Sequence, residues 1–356
     1  MQKKSFTGQD VGYHAFKRVL ERLKELGFVE HKPGYRQLIE GFDPSGPKIA
    51  TQSRTSRFRA TPKLLALADE CGVPAVEAKR HFLQQLPKHP LVLKATSTRD
   101  RGGQKQQGKN LKFGKTEKTD KLEADVLELN KFLDQFKLQG GIHRGYIRVF
   151  NCGDDPDFDW NRGGRLYSQG GEEDNYQRLS QEKRLQMTID GEAVVEIDIK
   201  ASYLTLFLAW YDQEVQGDPY VLPGLLEDAR DVVKKFFVIA FGQNGQTKRW
   251  SREMISDYRE KTGRELGADY PIKLIREKVF EVYPVIQRIA EHRNIWAKLM
   301  WIESMAMITT MQRLMREHGV PSLSIHDSLI VPESKLKVAQ ELLREQYFAS
   351  VKFSHN

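Results

Sequence analysis

The chain has 356 residues, 39% apolar and 29% charged, long enough for two or three domains around real cores. It lacks the run of about 18 apolar residues that a transmembrane helix needs, and its start, MQKKSFTGQD, lacks the apolar centre of a signal peptide. Cys71 and Cys152 are the only cysteines, which argues against a disulfide framework or a Cys-rich zinc site and fits a reducing compartment. The formal charge of +8 points to a polyanionic partner or to an ordinary basic surface.

Residues 12–29, GYHAFKRVLERLKELGFV, place Phe16, Val19, Leu20, Leu23 and Leu26 at helical spacing, with Gly27 as a stop. A strand start at Phe28-Val29 and a turn at Lys32-Pro33-Gly34 follow. Helix, hairpin and basic segment together suggest a winged-helix-like module. PKIATQSRTSRFRATPKLL then carries Lys48, Arg54, Arg57, Arg59 and Lys63 and no acid. Such alternation of polar and basic residues suits a strand beside a phosphate backbone, or a solvated hairpin. Residues 97–121 set eight basic residues against Asp100, Glu117 and Asp120, the composition of a flexible basic linker or a wing.

A helix is predicted over 121–137 (Leu122, Val126, Leu129, Phe132, Leu133, Phe136), then a strand and turn in RGYIRVFNCGDD. Beyond residue 142, strands are predicted at 146–150, 193–199, 322–326 and 328–332. Helices are predicted at 201–212, 225–241, 271–293, 297–317 and 333–346. This mixture describes an α+β domain. Asp198 ends an apolar strand, and Asp327 sits at a hairpin turn between apolar runs. Either could be a cap or turn residue. As a pair on neighbouring strand ends, they could hold hard divalent cations for phosphoryl transfer.

VVEIDIKASYLTLFLAW (194–210) resembles motif A of the family A DNA polymerases, and LSIHDSLIV resembles their motif C. GGRLYS (163–168) is similar to the Gly-Arg-Leu segment that precedes motif A in that family. NYQRLSQEKRLQMTIDG has the same layout as the stretch between them, and RDVVKKFFVIAFG (230–242) resembles the motif B helix. The resemblance implies a right-hand polymerase fold of palm, fingers and thumb, and a DNA-directed DNA polymerase without a 3′–5′ exonuclease. Two Mg²⁺, replaceable by Mn²⁺, would be held by Asp198, Asp327 and the backbone carbonyl of Ile199. Arg230 and Lys234, or its neighbour Lys235, would face the triphosphate of a dNTP, and Phe237 and Phe241 would pack beside the nascent base pair. Arg165, His326 and Glu303 would meet the primer–template, with Arg54, Arg57 and Arg59 of the N-terminal module.

Motif C usually reads His-Asp-Glu in that family, whereas here Ser328 follows Asp327, as in the related single-subunit phage RNA polymerases. The motif B spacing is one residue short, which leaves the choice between Lys234 and Lys235 open. Tyr203, five residues after Asp198, stands where several polymerase families hold a bulky side chain under the incoming sugar, which favours dNTPs over rNTPs. The expected organisation is a winged-helix-like module at 1–75, a basic linker with thumb-like helices at 76–145, and palm and fingers at 146–356. The expected partner is a DNA or RNA primer–template, bound by a monomer away from membranes, in the cytoplasm of a bacterial, plasmid or phage setting. A primase or RNA polymerase on the same palm is the alternative, as is a non-catalytic DNA-binding replication protein.

Overall fold

The computed structural model describes residues 11–39, 49–78, 85–99, 105–170, 174–215, 217–245 and 248–353. Lys48 and residues 100–104 of the basic stretches lie outside them. The chain divides into two compact units, Met1–Gln85 and Leu86–Asn356. Residues 86–145, expected as a linker with helices of its own, are part of the second unit.

In the first unit the helix Tyr13–Glu25 leads into β1 (Val29–Lys32). A hairpin of β2 (Tyr35–Ile39) and β3 (Ile49–Arg54) follows, then β4 (Arg57–Ala60), which returns antiparallel to β1. The helix Pro62–Glu70 closes the series, capped by the Thr61 hydroxyl on the Leu64 N–H. Arg54, Arg57 and Arg59 are exposed on these strands. Arg59 faces Glu30 across the strand pair and binds it at 2.6 Å, so one of the three charges is met within the unit.

The second unit is built on two sheets. β5 (Leu91–Lys94) runs parallel to β10 (Tyr146–Phe150). β6 (Thr98–Arg99) and β7 (Lys105–Gln106) form a small hairpin, and β8 (Asn110–Leu111) pairs back onto β5. The stretch expected as a flexible linker therefore supplies an edge strand. The helix Glu117–Leu133 follows, capped by Thr116, and starts four residues before the predicted 121. β10 pairs with β11 (Gly163–Ser168), completing the sheet order β11-β10-β5-β8. The doubled glycine that opens β11 has a physical reason. Both residues have positive φ, and a Cβ on Gly164 would stand 3.0 Å from Ser304 Oγ.

The second sheet, β14-β15-β13-β12-β9, contains β9 (Leu138–Gln139), β12 (Thr188–Ile189), β13 (Glu192–Asp198), β14 (Leu323–Ile325) and β15 (Ser328–Pro332). A helical layer lies between β13 and β14 in sequence: Ser202–Ala209, Arg230–Gly242, Arg252–Thr262 and Ile272–Val282. The predicted helix 271–293 breaks at Pro284, which lacks an N–H and clashes with the turn before it. A 3₁₀ segment, Pro284–Glu291, replaces its second half. The helix Ile295–His318 joins two cores. Its Leu299, Ile302 and Ala306 pack with the helical layer, and its Met307, Met311 and Leu314 pack with the sheets. Among the described residues no helix is long and apolar enough to cross a membrane.

Hydroxyl groups tie the two sheets together. Tyr146 Oη and Tyr176 Oη lie 2.6 Å apart, Tyr176 donates to the Ser324 carbonyl at 2.6 Å, and the Ser324 N–H donates to Tyr146 Oη at 3.0 Å. His143 packs beside both rings, with Nδ1 2.7 Å from Ser168 Oγ and Nε2 shut off from solvent without a partner. Burial pushes its pKa down to about 3, helped by the Arg144 charge. The unfolded chain takes up this proton near pH 6.5, so stability falls as pH is lowered from about 6.5 towards 3, by up to about 1.4 kcal/mol per pH unit, and levels off outside that window. Urea unfolding between pH 7 and pH 4 should show a shallower loss of stability for His143→Gln than for the unaltered protein.

Candidate active site

The antiparallel pairing of β13 with β15 sets Asp198 opposite Ser328, with Val194 opposite Pro332 at the far end. Asp327 is the residue before Ser328. Its carbonyl accepts the Ile199 N–H at 3.2 Å, which stitches the end of β13 to the turn. His326 and Asp327 form the two-residue turn between β14 and β15, and His326 takes φ +47°. That left-handed conformation costs a non-glycine residue about 1–2 kcal/mol and is held here by strands on both sides. Two carboxylates far apart in the chain are thereby brought to the ends of neighbouring strands. Burial raises the Asp198 pKa, and the negative charges of Asp327 and Glu196 push it the same way, while Lys234 works against them.

Both carboxylates line a cleft of about 1140 Å³. One wall is the helix Arg230–Gly242. Arg230, Lys234 and Val238 recur every fourth residue along it, with Phe237 and Phe241 beside them, and all five face the cleft. Of the two lysines, Lys234 lines the cleft, whereas Lys235 turns aside and binds Asp257 at 3.3 Å. Arg230 is held at 2.7 Å by Asp218 and lies over the Tyr220 ring. Phe237 and Phe241 are 3% exposed, so they belong to the helical core as much as to the cleft. Val238 is 68% exposed and presents bare apolar surface to the same space.

The floor beneath the carboxylates is a buried ionic contact. Arg165 Nε donates to Glu303 Oε1 at 2.9 Å, and Nη2 donates to the same oxygen. Burial opposes the Arg165 charge, but Glu303 outweighs it and holds that pKa above the ordinary arginine range. Burial raises the Glu303 carboxyl in turn, with Arg165 acting against it. A guanidinium donating two N–H bonds to one carboxylate oxygen is the geometry of a charged pair. Arg165, expected at the primer–template, thus has its charge taken up inside the protein, and Glu303 is fully buried. Tyr203 completes the floor, its ring under the Arg165 guanidinium and edge-on to Phe241 at 6.1 Å. His326 is exposed at the turn and is not part of the cleft lining.

Several cleft residues carried no sequence signal. Lys200 and Asp218 lie beside Arg230, and Thr96, Asn294 and Trp296 come from distant segments. Glu196 is different: it precedes Asp198 by two residues on one strand, so period-two alternation puts both on the same face.

Asp198, Asp327 and the Ile199 carbonyl could together hold a hard cation such as Mg²⁺. Among the described residues no group of three or more His, Cys, Asp or Glu is gathered for a metal. Two carboxylates and a backbone carbonyl leave positions for water and substrate phosphate, as Mg²⁺ sites commonly do. The like charges around Asp198 are what a divalent cation would relieve. Neither a protein-family model nor a curated protein matches the chain.

Lys234→Ala should weaken the binding of a polyanion such as inorganic triphosphate in the cleft about tenfold or more, the worth of one charge-assisted hydrogen bond. Lys235→Ala should leave it within about twofold, since that side chain points away. Isothermal titration calorimetry with inorganic triphosphate would measure both.

Proposed function

We propose that this protein is a template-directed nucleotidyltransferase, a compact right-hand DNA polymerase similar to family A. One observation carries the reading: Asp198 and Asp327 stand on adjacent strand ends at one side of a cleft whose facing helix presents Arg230 and Lys234. Phosphoryl transfer needs that combination, because the protein has little covalent chemistry to do beyond positioning the substrates and balancing the developing charge.

Asp198, Asp327 and the Ile199 carbonyl would hold two Mg²⁺, which when bound supply charge stabilisation to the attacking and leaving oxygens. Lys234 meets the triphosphate, and Arg230 does so while Asp218 keeps it oriented. Phe237 and Phe241 keep the helix face rigid and dry, and Val238 offers flat apolar surface to a base. Tyr203 is wedged between Arg165 and Phe241, so its ring has little freedom to move aside for a 2′-hydroxyl, which favours dNTPs. The basic strands of the first unit, with Arg54 and Arg57, suit contact with the primer–template backbone. An rNTP-using polymerase or primase on the same site is the second reading, supported by Ser328 after Asp327.

Extension of a primed template with Mg²⁺ tests this. Asp198→Asn and Asp327→Asn should each lower kcat by about a hundredfold or more, since the metal contribution is worth several kcal/mol. Tyr203→Ala should raise rNTP incorporation relative to dNTP. Full extension by either Asn variant would refute the reading. Unprimed synthesis from rNTPs alone, insensitive to Tyr203→Ala, would favour the second one.

A further inference from the structure

On the same strand as Asp198, Glu196 belongs to an ionic cluster that the proposed chemistry does not use. Glu196 shares its strand face with Asp198, yet its side chain is only 8% exposed. Arg184 clamps it with two bonds of 2.9 Å, Nε to Oε2 and Nη2 to Oε1. Arg184 is itself anchored by donating Nη1 to the Leu179 carbonyl at 2.7 Å. The other side of Glu196 reaches the catalytic turn: Ser328 Oγ lies 3.0 Å from Glu196 Oε1 and 3.1 Å from the Ile325 carbonyl. The hydroxyl has one proton to donate, and the carboxylate is the stronger acceptor. Ser328 is 4% exposed, follows Asp327 directly and stands opposite Asp198.

A buried ion pair of this kind adds little to stability, because desolvation of both charges offsets their attraction, and an apolar pair of similar volume serves the fold as well or better. Its location suggests a different purpose. The turn it touches carries a strained residue, His326, and one of the two carboxylates. A shift of about 1 Å in such a group can cost a hundredfold in rate. Arg184 also offsets part of the Glu196 charge, which still helps to raise the Asp198 pKa.

We propose that Glu196, clamped by Arg184, is a positioning residue: through Ser328 it holds the turn that sets Asp327 against Asp198. This rests on the reading of that pair as a metal-binding site for nucleotidyl transfer. Glu196 itself does not line the cleft, which makes it a positioning residue and not a catalytic one.

The test uses the whole 356-residue chain and four variants, Arg184→Met/Glu196→Leu, Ser328→Ala, Ser328→Thr and, as the metal-site control, Asp198→Asn. Thermal melting, Mn²⁺ binding by electron paramagnetic resonance, and the kcat and KM of primer extension are measured for each. The double apolar variant should melt close to the unaltered protein. It should bind Mn²⁺ about tenfold more weakly and lose about ten- to a hundredfold in kcat, with KM for the nucleotide within about twofold. Ser328→Ala should move both quantities in the same direction, and Ser328→Thr, which keeps the hydroxyl, should restore them. A folded double variant or Ser328→Ala with undiminished Mn²⁺ affinity and kcat would show the bridge to be structural only. If the unaltered protein bound Mn²⁺ no better than Asp198→Asn, the metal-site reading itself would fall, and this inference with it. Should the double variant fail to fold, the two Ser328 variants decide alone.

Discussion

The register of β13 against β15 is the constraint on which the rest of the second unit depends. Side chains on a strand alternate between faces, so a slip of one residue would send Asp198 to the opposite face and part it from Asp327. Apolar residues on both faces bury this strand pair without choosing its register: Val194 and Ile197 on β13, Leu329, Ile330 and Val331 on β15. The polar residues select it. Glu196 reaches Ser328, and the Ile199 N–H reaches the Asp327 carbonyl. The apolar residues therefore supply the burial, and the polar contacts fix the register.

The helix Ile295–His318 carries that geometry to the rest of the unit. Its first half packs with the helical layer and its second half with the sheets, and Glu303 sits near the changeover, bound to Arg165 of β11. The cleft wall and the cleft floor thus share one rigid element. Tyr347 Oη, on the helix Leu336–Phe353, donates to the Ser202 carbonyl at 2.8 Å, at the start of the helix that follows Asp198. The buried hydroxyls of Tyr146 and Tyr176 secure β14 from behind through Ser324. A carboxylate pair needs such support, since mutual repulsion favours any movement that separates it.

How much could be read in advance varied with the kind of signal. The α+β class, the apolar strands around Asp198 and Asp327 and the amphipathic helices were legible, because burial imposes periods of two and 3.6 on the chain. Helix ends were less so: Pro284 interrupts a pattern that continues in hydropathy alone, and the basic 105–111 stretch supplies β7 and β8 although its composition suits a linker. Lys234 and Lys235 are equivalent by composition, and only the helix's rotation against Phe236 and Val233 in the core separates them. The partnership of Arg165 with Glu303 joins β11 to a helix late in the chain, and no local pattern announces it.

By itself, the sequence determined which segments must be buried, and hence that two aspartates end up on apolar strand ends in a basic chain. Local spacing and hydropathy suffice for that, because they reflect each segment's own exchange with water. Only the tertiary structure decided what the charged residues do: Arg165 and Arg184 neutralise buried glutamates, Lys235 faces Asp257, and Lys234 is the lysine turned towards the cleft. A charge takes its role from its neighbours in space, and those neighbours come from segments whose meeting no local period encodes.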